Sequence, residues 1–221
     1  MQRRPYMRPF LIVYATRTGH TRHVAERVAD RIRTLAHEAQ IQDVRTEALP
    51  PLERYSAVVL AASVHLGHHE REMVKFVRAR RRELEALPTL FLSVSLTEAA
   101  AADVRRPDDE RLDAQIATRR VLDDFVLETG WRPGKSVPIA GALTESAFGP
   151  LTRVLRKIVH RDVPDEPARQ VVFTDWAALN VVVDEFVRDA VERSKGAPLA
   201  PPEAPEPPAF RRAVEGAILA P

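Results

Sequence analysis

Phe10-Leu11-Ile12-Val13-Tyr14-Ala15-Thr16-Arg17-Thr18-Gly19-His20-Thr21 decides the fold. Its first half is an unbroken apolar run, rich in β-branched and aromatic residues, of the composition that a parallel strand covered on both faces requires. Behind it, Val24, Val28, Ile32 and Leu35 recur at helical spacing and predict a helix over residues 21–36. Between strand and helix lies Thr16-x-Thr18-Gly19-x-Thr21. Its hydroxyls and successive backbone N–H groups, at the positive end of a helix dipole, suit a phosphate group. Gly19 lets the backbone approach a ligand with no Cβ in the way. The loop is neither a Gly-x-Gly-x-x-Gly turn nor a Walker loop closed by Lys-Ser or Lys-Thr. Two readings stay open at this point: a phosphate cradle and a Thr-rich helix cap.

Outward from this stretch the pattern repeats. A short strand is expected over 41–46, then a compact apolar strand over 56–62 that ends in the polar turn Ser63-Val64-His65-Leu66-Gly67-His68-His69. A charged helix follows over 70–84, with Met73, Phe76 and Val77 for its buried face, and then a fourth strand over 89–96 whose end, Ser93-Val94-Ser95-Leu96, turns polar. Residues 97–110, an alanine run followed by Asp103, Arg105, Arg106, Pro107, Asp108 and Asp109, read as a long surface loop, and loops of that length are commonly functional or disordered. Helical spacing resumes with Leu112, Ile116, Leu122, Phe125 and Val126, and Gly130 is a stop signal. A fifth strand is expected over 137–143, a basic amphipathic stretch over 151–161, and a last helix capped by Thr174 or Asp175. Strands alternating with helices predict a doubly wound five-stranded parallel sheet with helices on both faces, in one domain over 1–195; the proline-rich segment 196–221 reads as a flexible tail. Ligands bind such sheets at the carboxyl ends of the strands, where the strand order reverses, and this brings the Thr16, Ser63 and Ser93 turns together.

Composition narrows the chemistry. The chain of 221 residues has no cysteine, which removes disulfides, thiol catalysis and thiolate metal sites, so any redox chemistry must come from a cofactor. With 33 Lys and Arg against 31 Asp and Glu there is no electrostatic case for nucleic acid as a partner. No apolar stretch approaches the ~20 residues of a membrane span, and the apolar run behind the basic start lacks a cleavage site, so a cytoplasmic protein is expected, with peripheral contact at the inner face of a membrane left open. His65, His68, His69 and Glu70 hold metal-ligand chemistry but lack the His-Glu-x-x-His spacing, and no metal is expected there.

Thr16-Arg17-Thr18-Gly19-His20-Thr21 resembles the Thr-x-Thr-Gly-x-Thr phosphate loop of flavodoxins. Further segments occur in the order found in the flavodoxin-like menaquinone-dependent protoporphyrinogen IX dehydrogenases: 62–68, 91–96, Trp131-Arg132-Pro133, 139–143 and 172–176. The resemblance, over roughly residues 10–191, implies a flavodoxin-like fold, non-covalently bound FMN, and transfer of hydrogen from a porphyrinogen to the flavin and on to a quinone, in heme biosynthesis. It implies that Thr16, Arg17, Thr18, Gly19, His20 and Thr21 hold the phosphate, and that Ser63, Val64, His65, Leu66 and Gly67, with Ser93, Val94, Ser95 and Leu96, flank the isoalloxazine ring. It supplies no acid or base, because the cofactor carries the redox chemistry. The sequence departs from the pattern in two places: no aromatic stands ready to cover the ring beyond His65, and the segment after the fourth strand is rich in acid and alanine. An electron carrier working with a protein partner is the alternative, and a flavodoxin fold that has lost its cofactor is a third.

Overall fold

The computed structural model describes residues 7–46, 49–143 and 171–195. Five strands form its main sheet: β1 (Phe10–Ala15), β2 (Ala39–Asp43), β3 (Ala57–His65), β5 (Thr89–Ser95) and β6 (Lys135–Ala140). They lie in the order β2-β1-β3-β5-β6, and each neighbouring pair is parallel. The strand β4 (His68–His69) adds an antiparallel hairpin to the end of β3. The chain moves from β1 outward to β2, then crosses back to lay β3 on the other side of β1. The order therefore reverses between β1 and β3, and it is at the carboxyl ends of strands at such a point that doubly wound sheets bind ligands.

Successive residues of a strand face opposite sides, and the core divides accordingly. Phe10, Ile12 and Tyr14 of β1 pack with Val24, Val28 and Ile32 of α1 (His20–Thr34) and with Leu179, Val183 and Phe186 of α5 (Trp176–Lys195). Leu11, Val13 and Ala15 pack on the other face with Met73, Phe76 and Val77 of α2 (Arg71–Glu85), and with Phe125 of α4 (Asp108–Thr129) and Trp131. All six β1 residues are buried, so the strand has no wet face and reads as a continuous apolar run.

Several expectations are corrected. Residues 97–110 are mostly helical: α3 (Leu96–Ala102) starts at Ser95, whose Oγ accepts the Glu98 N–H at 3.1 Å, and its alanines favour the helix strongly. Only residues 103–107 connect it to α4, where Asp103 accepts the backbone N–H and the side chain of Arg105. Asp108, Asp109 and Glu110, read as loop residues, form the first turn of α4 and complement its dipole. That helix buries Ala114, Thr118, Phe125 and Thr129 and leaves Leu112 and Ile116 exposed. Small residues face inward there because α3 packs alanine against it, with Ala99 and Ala101 buried. The second strand begins two residues earlier than expected. The fifth stops at Ala140; Ala142–Leu143 (β7) then pairs antiparallel with Val171–Val172 (β8). Asp175 caps α5, its Oδ1 accepting the Ala177 and Ala178 N–H groups, while Thr174 is engaged elsewhere. The basic stretch 151–161 and the tail 196–221 lie outside the described residues.

Candidate functional site

The first turn is built by its own hydroxyl. Thr16, buried at the end of β1, accepts the Gly19 N–H on Oγ1 at 3.1 Å. This folds residues 16–19 back so that Gly19, at φ +91°, sits just ahead of α1. A left-handed φ of that size strains any residue with a Cβ, yet a Cβ placed there would meet no atom within 4 Å. The space over the loop is open. Thr21 is buried, whereas Arg17 and Thr18 are exposed at the tip. At the start of α1 the Gly19 amide is taken by Thr16 and the Arg22 amide by the Gly19 carbonyl at 3.0 Å, which leaves the His20 and Thr21 amides as the helix-start donors a ligand could use.

His20 is held away from such a role by its neighbours. Its Nε2 lies 2.8 Å from Thr174 Oγ1, and the Thr174 hydroxyl donates its one hydrogen to the Ala140 carbonyl at 2.6 Å. Nε2 must therefore be the donor of the pair. Burial, with a smaller contribution from His23, holds the ring's pKa down at about 4. A neutral His20 brings no charge to the loop and, through Thr174, ties it to the end of β6; Arg17 is the loop's cationic side chain.

The second turn is a hairpin. β3 runs on to His65, which pairs with His68 across a two-residue connection. Leu66 at φ +51° and Gly67 at φ +79° both adopt positive φ, as a type I′ turn demands. Ser63, Val64 and His65 thus belong to the strand and Leu66 is its exposed tip. In the third turn, Ser93 and Val94 lie inside β5: Val94 packs in the core, and Ser93 Oγ is 2.9 Å from His69 Nε2. Ser95, as helix cap, and Leu96 stand at the strand's end. Burial raises the pKa of Glu98, one turn further on.

Two adjacent residues bind the turns together. His69 is wedged against Phe91 and Phe125, with ring centroids 5.1 and 4.7 Å away, and joins the second turn to β5 through Ser93. Burial, with His68 adding to it, lowers its pKa to about 4, so it too is neutral. Glu70 joins the second turn to the first: Oε1 accepts from Ser63 Oγ at 3.1 Å and Oε2 from Arg17 Nη2 at 3.3 Å. Beside β6, a cavity of about 190 Å³ is lined by Ala99, Ala102, Asp103, Arg106, Ala140 and Phe173.

A loop after β1 turned at a positive-φ glycine, with two further turns beside it, stands at the point of strand reversal where doubly wound sheets bind ligands. The family model described as Flavodoxin domain matches residues 11–166. The chain belongs to the flavodoxin domain family. Curated relatives of this flavodoxin domain include the protoporphyrinogen IX dehydrogenase (quinone) of Escherichia coli strain K12, 29% identical over 168 residues, which span 75% of this chain and 87% of that protein. The protein of the same name from Leishmania major is 29% identical over 182 residues, 80% of this chain and 73% of that one. Among solved structures, an archaeal flavodoxin aligns over 83% of this chain and 99% of its own at 12% identity and a TM-score of 0.45. A Fusobacterium nucleatum flavodoxin mutant bound to flavin mononucleotide aligns over 85% and 98% at 12% identity and a TM-score of 0.40.

Sequence reasoning missed His69 and Glu70 as the ties of this flavodoxin domain, having grouped them with His65 and His68 as metal-ligand chemistry. Their side chains point to different partners, and among the described residues no three His, Cys, Asp or Glu are grouped to hold a metal ion. The one available signal was Glu70's place directly ahead of a helix.

Proposed function

We propose that this flavodoxin domain binds FMN and dehydrogenates protoporphyrinogen IX or a similar reduced substrate, with a quinone as acceptor, in heme biosynthesis. The observation that carries the reading is the first loop with two further turns assembled beside it, in a chain whose dehydrogenase relatives align over most of their length. The donor set fits FMN: open space over Gly19, the Thr16 and Thr18 hydroxyls, helix-start amides and the Arg17 guanidinium suit a phosphate. Bound FMN would supply the site's capacity to accept hydrogen from the substrate and pass it on. In this reading the backbone and hydroxyls of Thr16, Arg17, Thr18, Gly19, His20 and Thr21 hold the phosphate. The Ser63–Gly67 hairpin and the end of β5, with Ser95 and Leu96, flank the ring.

An electron carrier would be expected to present an acidic rim, and the acid-rich segment after β5 does not supply one. Asp103 faces Arg105, Glu110 faces Arg106 and Asp108 faces Arg111, so this edge carries mixed charge instead of an acidic docking rim. No helix among the described residues is long and apolar enough to cross a membrane. Peripheral contact with a membrane from the cytoplasmic side belongs to the same proposal: a quinone is met there, and Arg153, Arg156, Lys157 and Arg161 supply charge that anionic lipid attracts.

The test follows the flavin spectrum of the purified chain. Protoporphyrinogen should bleach bound FMN anaerobically, and a menaquinone analogue should restore it. Bound FMN that porphyrinogen leaves oxidised makes the domain a carrier; a colourless protein that FMN cannot reconstitute overturns both redox readings.

A further inference from the structure

Glu70 touches two of the three turns at once. It is 7% exposed, and a carboxylate taken that far out of water needs compensating partners. It has them on both oxygens: the Ser63 hydroxyl on one and the Arg17 guanidinium on the other. Its own backbone N–H also donates to the Ser63 carbonyl at 3.2 Å. Glu70 is thus fastened to the end of β3 by main chain and side chain together, and its free reach is directed at Arg17.

Arg17 is the opposite kind of residue. Its side chain is 56% exposed, on the tip of the first loop, where an unanchored arginine would spread over many rotamers. A single Nη2 hydrogen bond to Glu70 gathers those rotamers and leaves most of the guanidinium's five donors for another acceptor. With His20 and His69 neutral, Arg17 is the positive side chain this loop offers to a dianion.

We propose that Arg17, Glu70 and Ser63 form a relay by which the ring-side hairpin senses the flavin's phosphate, so that Glu70 is a positioning residue selecting FMN over riboflavin. The proposal rests on the flavin-site reading above. A phosphate drawing on Arg17 shifts the load on Glu70, and Glu70 passes it to Ser63 and the strand that carries the Leu66–Gly67 turn. Riboflavin has no phosphate and leaves the relay in its resting state.

The experiment measures dissociation constants of FMN and riboflavin, by quenching of flavin fluorescence, for the full chain and for Glu70→Gln, Arg17→Gln and the double variant. The quantity read is the preference, the riboflavin constant divided by the FMN constant. Each single variant should lower it by about tenfold or more, the worth of a charge-assisted hydrogen bond. The double variant should lower it no further, because both changes break one path. A Glu70 that only stabilises the fold weakens both flavins alike, so an unchanged preference in Glu70→Gln overturns the proposal, as does a double variant whose losses add. If Glu70→Gln does not fold, Arg17→Gln, changed at an exposed position, decides: an unchanged preference there overturns the relay. A wild-type chain binding both flavins equally overturns the relay and leaves the flavin site standing; one binding neither overturns both.

Discussion

Leu66 stands where a type I′ turn needs a residue at ease with positive φ, and replacing it by Asn should stabilise the protein. At φ +51° a branched L side chain crowds the following carbonyl at about 1–2 kcal/mol, a strain that Asn largely escapes by local hydrogen bonding. The opposing term is lost burial. Leu66 is 77% exposed, so about a quarter of its side chain is covered, and at about 1.5–3 kcal/mol for a fully buried leucine this amounts to about 0.5 kcal/mol. Strain outweighs burial, and Leu66→Asn should gain about 0.5–1 kcal/mol, or a rise in Tm of about 1–4 °C for a domain of this size. Urea titration at fixed pH, with the slope checked for constancy, measures it directly. A Leu66→Asn protein that is less stable than wild type would refute the argument, since the hairpin would then owe more to the leucine's contacts than to its backbone. The same variant read with FMN bound tells whether the strained leucine has a further use: a loss of flavin affinity alongside a gain in stability would mark Leu66 as a ring contact held at a conformational cost.

Three further outcomes follow from the same geometry. Thr18→Ala removes an exposed hydroxyl from the first loop and should weaken FMN by about 0.5–2 kcal/mol in a fluorescence titration; unchanged affinity would count against placing the phosphate there. His69→Phe keeps an aromatic against the stacked pair Phe91 and Phe125 but strips the buried Ser93 hydroxyl of its partner, and should cost about 1–3 kcal/mol in urea. Adding Ser93→Ala should recover part of that loss, and a double variant no better than the single one argues that the histidine acts by shape alone. His20 and His69 have folded pKa values of about 4 against 6.5 for the free side chain, so the unfolded chain binds more protons between those values. Stability should accordingly hold above pH 7, fall as pH drops from 6.5 toward 4, and lose on the order of 3 kcal/mol per ring at the acid limit; a urea midpoint that does not move between pH 7 and pH 5 would contradict the neutral, buried rings.

Where a segment's fate depends on its own side chains, the sequence was a good guide. The apolar run from Phe10 to Ala15 and the spacing of Val24, Val28 and Ile32 belong to β1 and α1 as expected, because a doubly covered strand and an amphipathic helix advertise themselves by period. The α3 helix was misread through composition: acids and alanines resemble a loop, although Ser95-x-x-Glu98 before four alanines is a helix-start signal. For α4 the misleading residues were Leu112 and Ile116, since which face is buried depends on how closely α3 approaches, and only small side chains such as Ala114 and Thr118 allow that approach. Within the candidate site, the three turns could be placed together from topology alone. The links between them could not: Arg17 and Glu70 are far apart in sequence, as are His69 and Ser93, and nothing local in either member of a pair announces the other.

The β7–β8 pairing has a consequence for how such a protein diversifies. Ala142 sits opposite Val172 and Leu143 opposite Val171, so the chain leaves for residues 144–170 and returns from them at neighbouring points on the same ladder. Whatever length is spliced between those points alters the closure entropy only logarithmically, and it leaves the register of β6 with β5 untouched. The pairing therefore fixes where the chain departs and rejoins the ladder, and the strands that carry the three turns keep their register when the length between those two points changes.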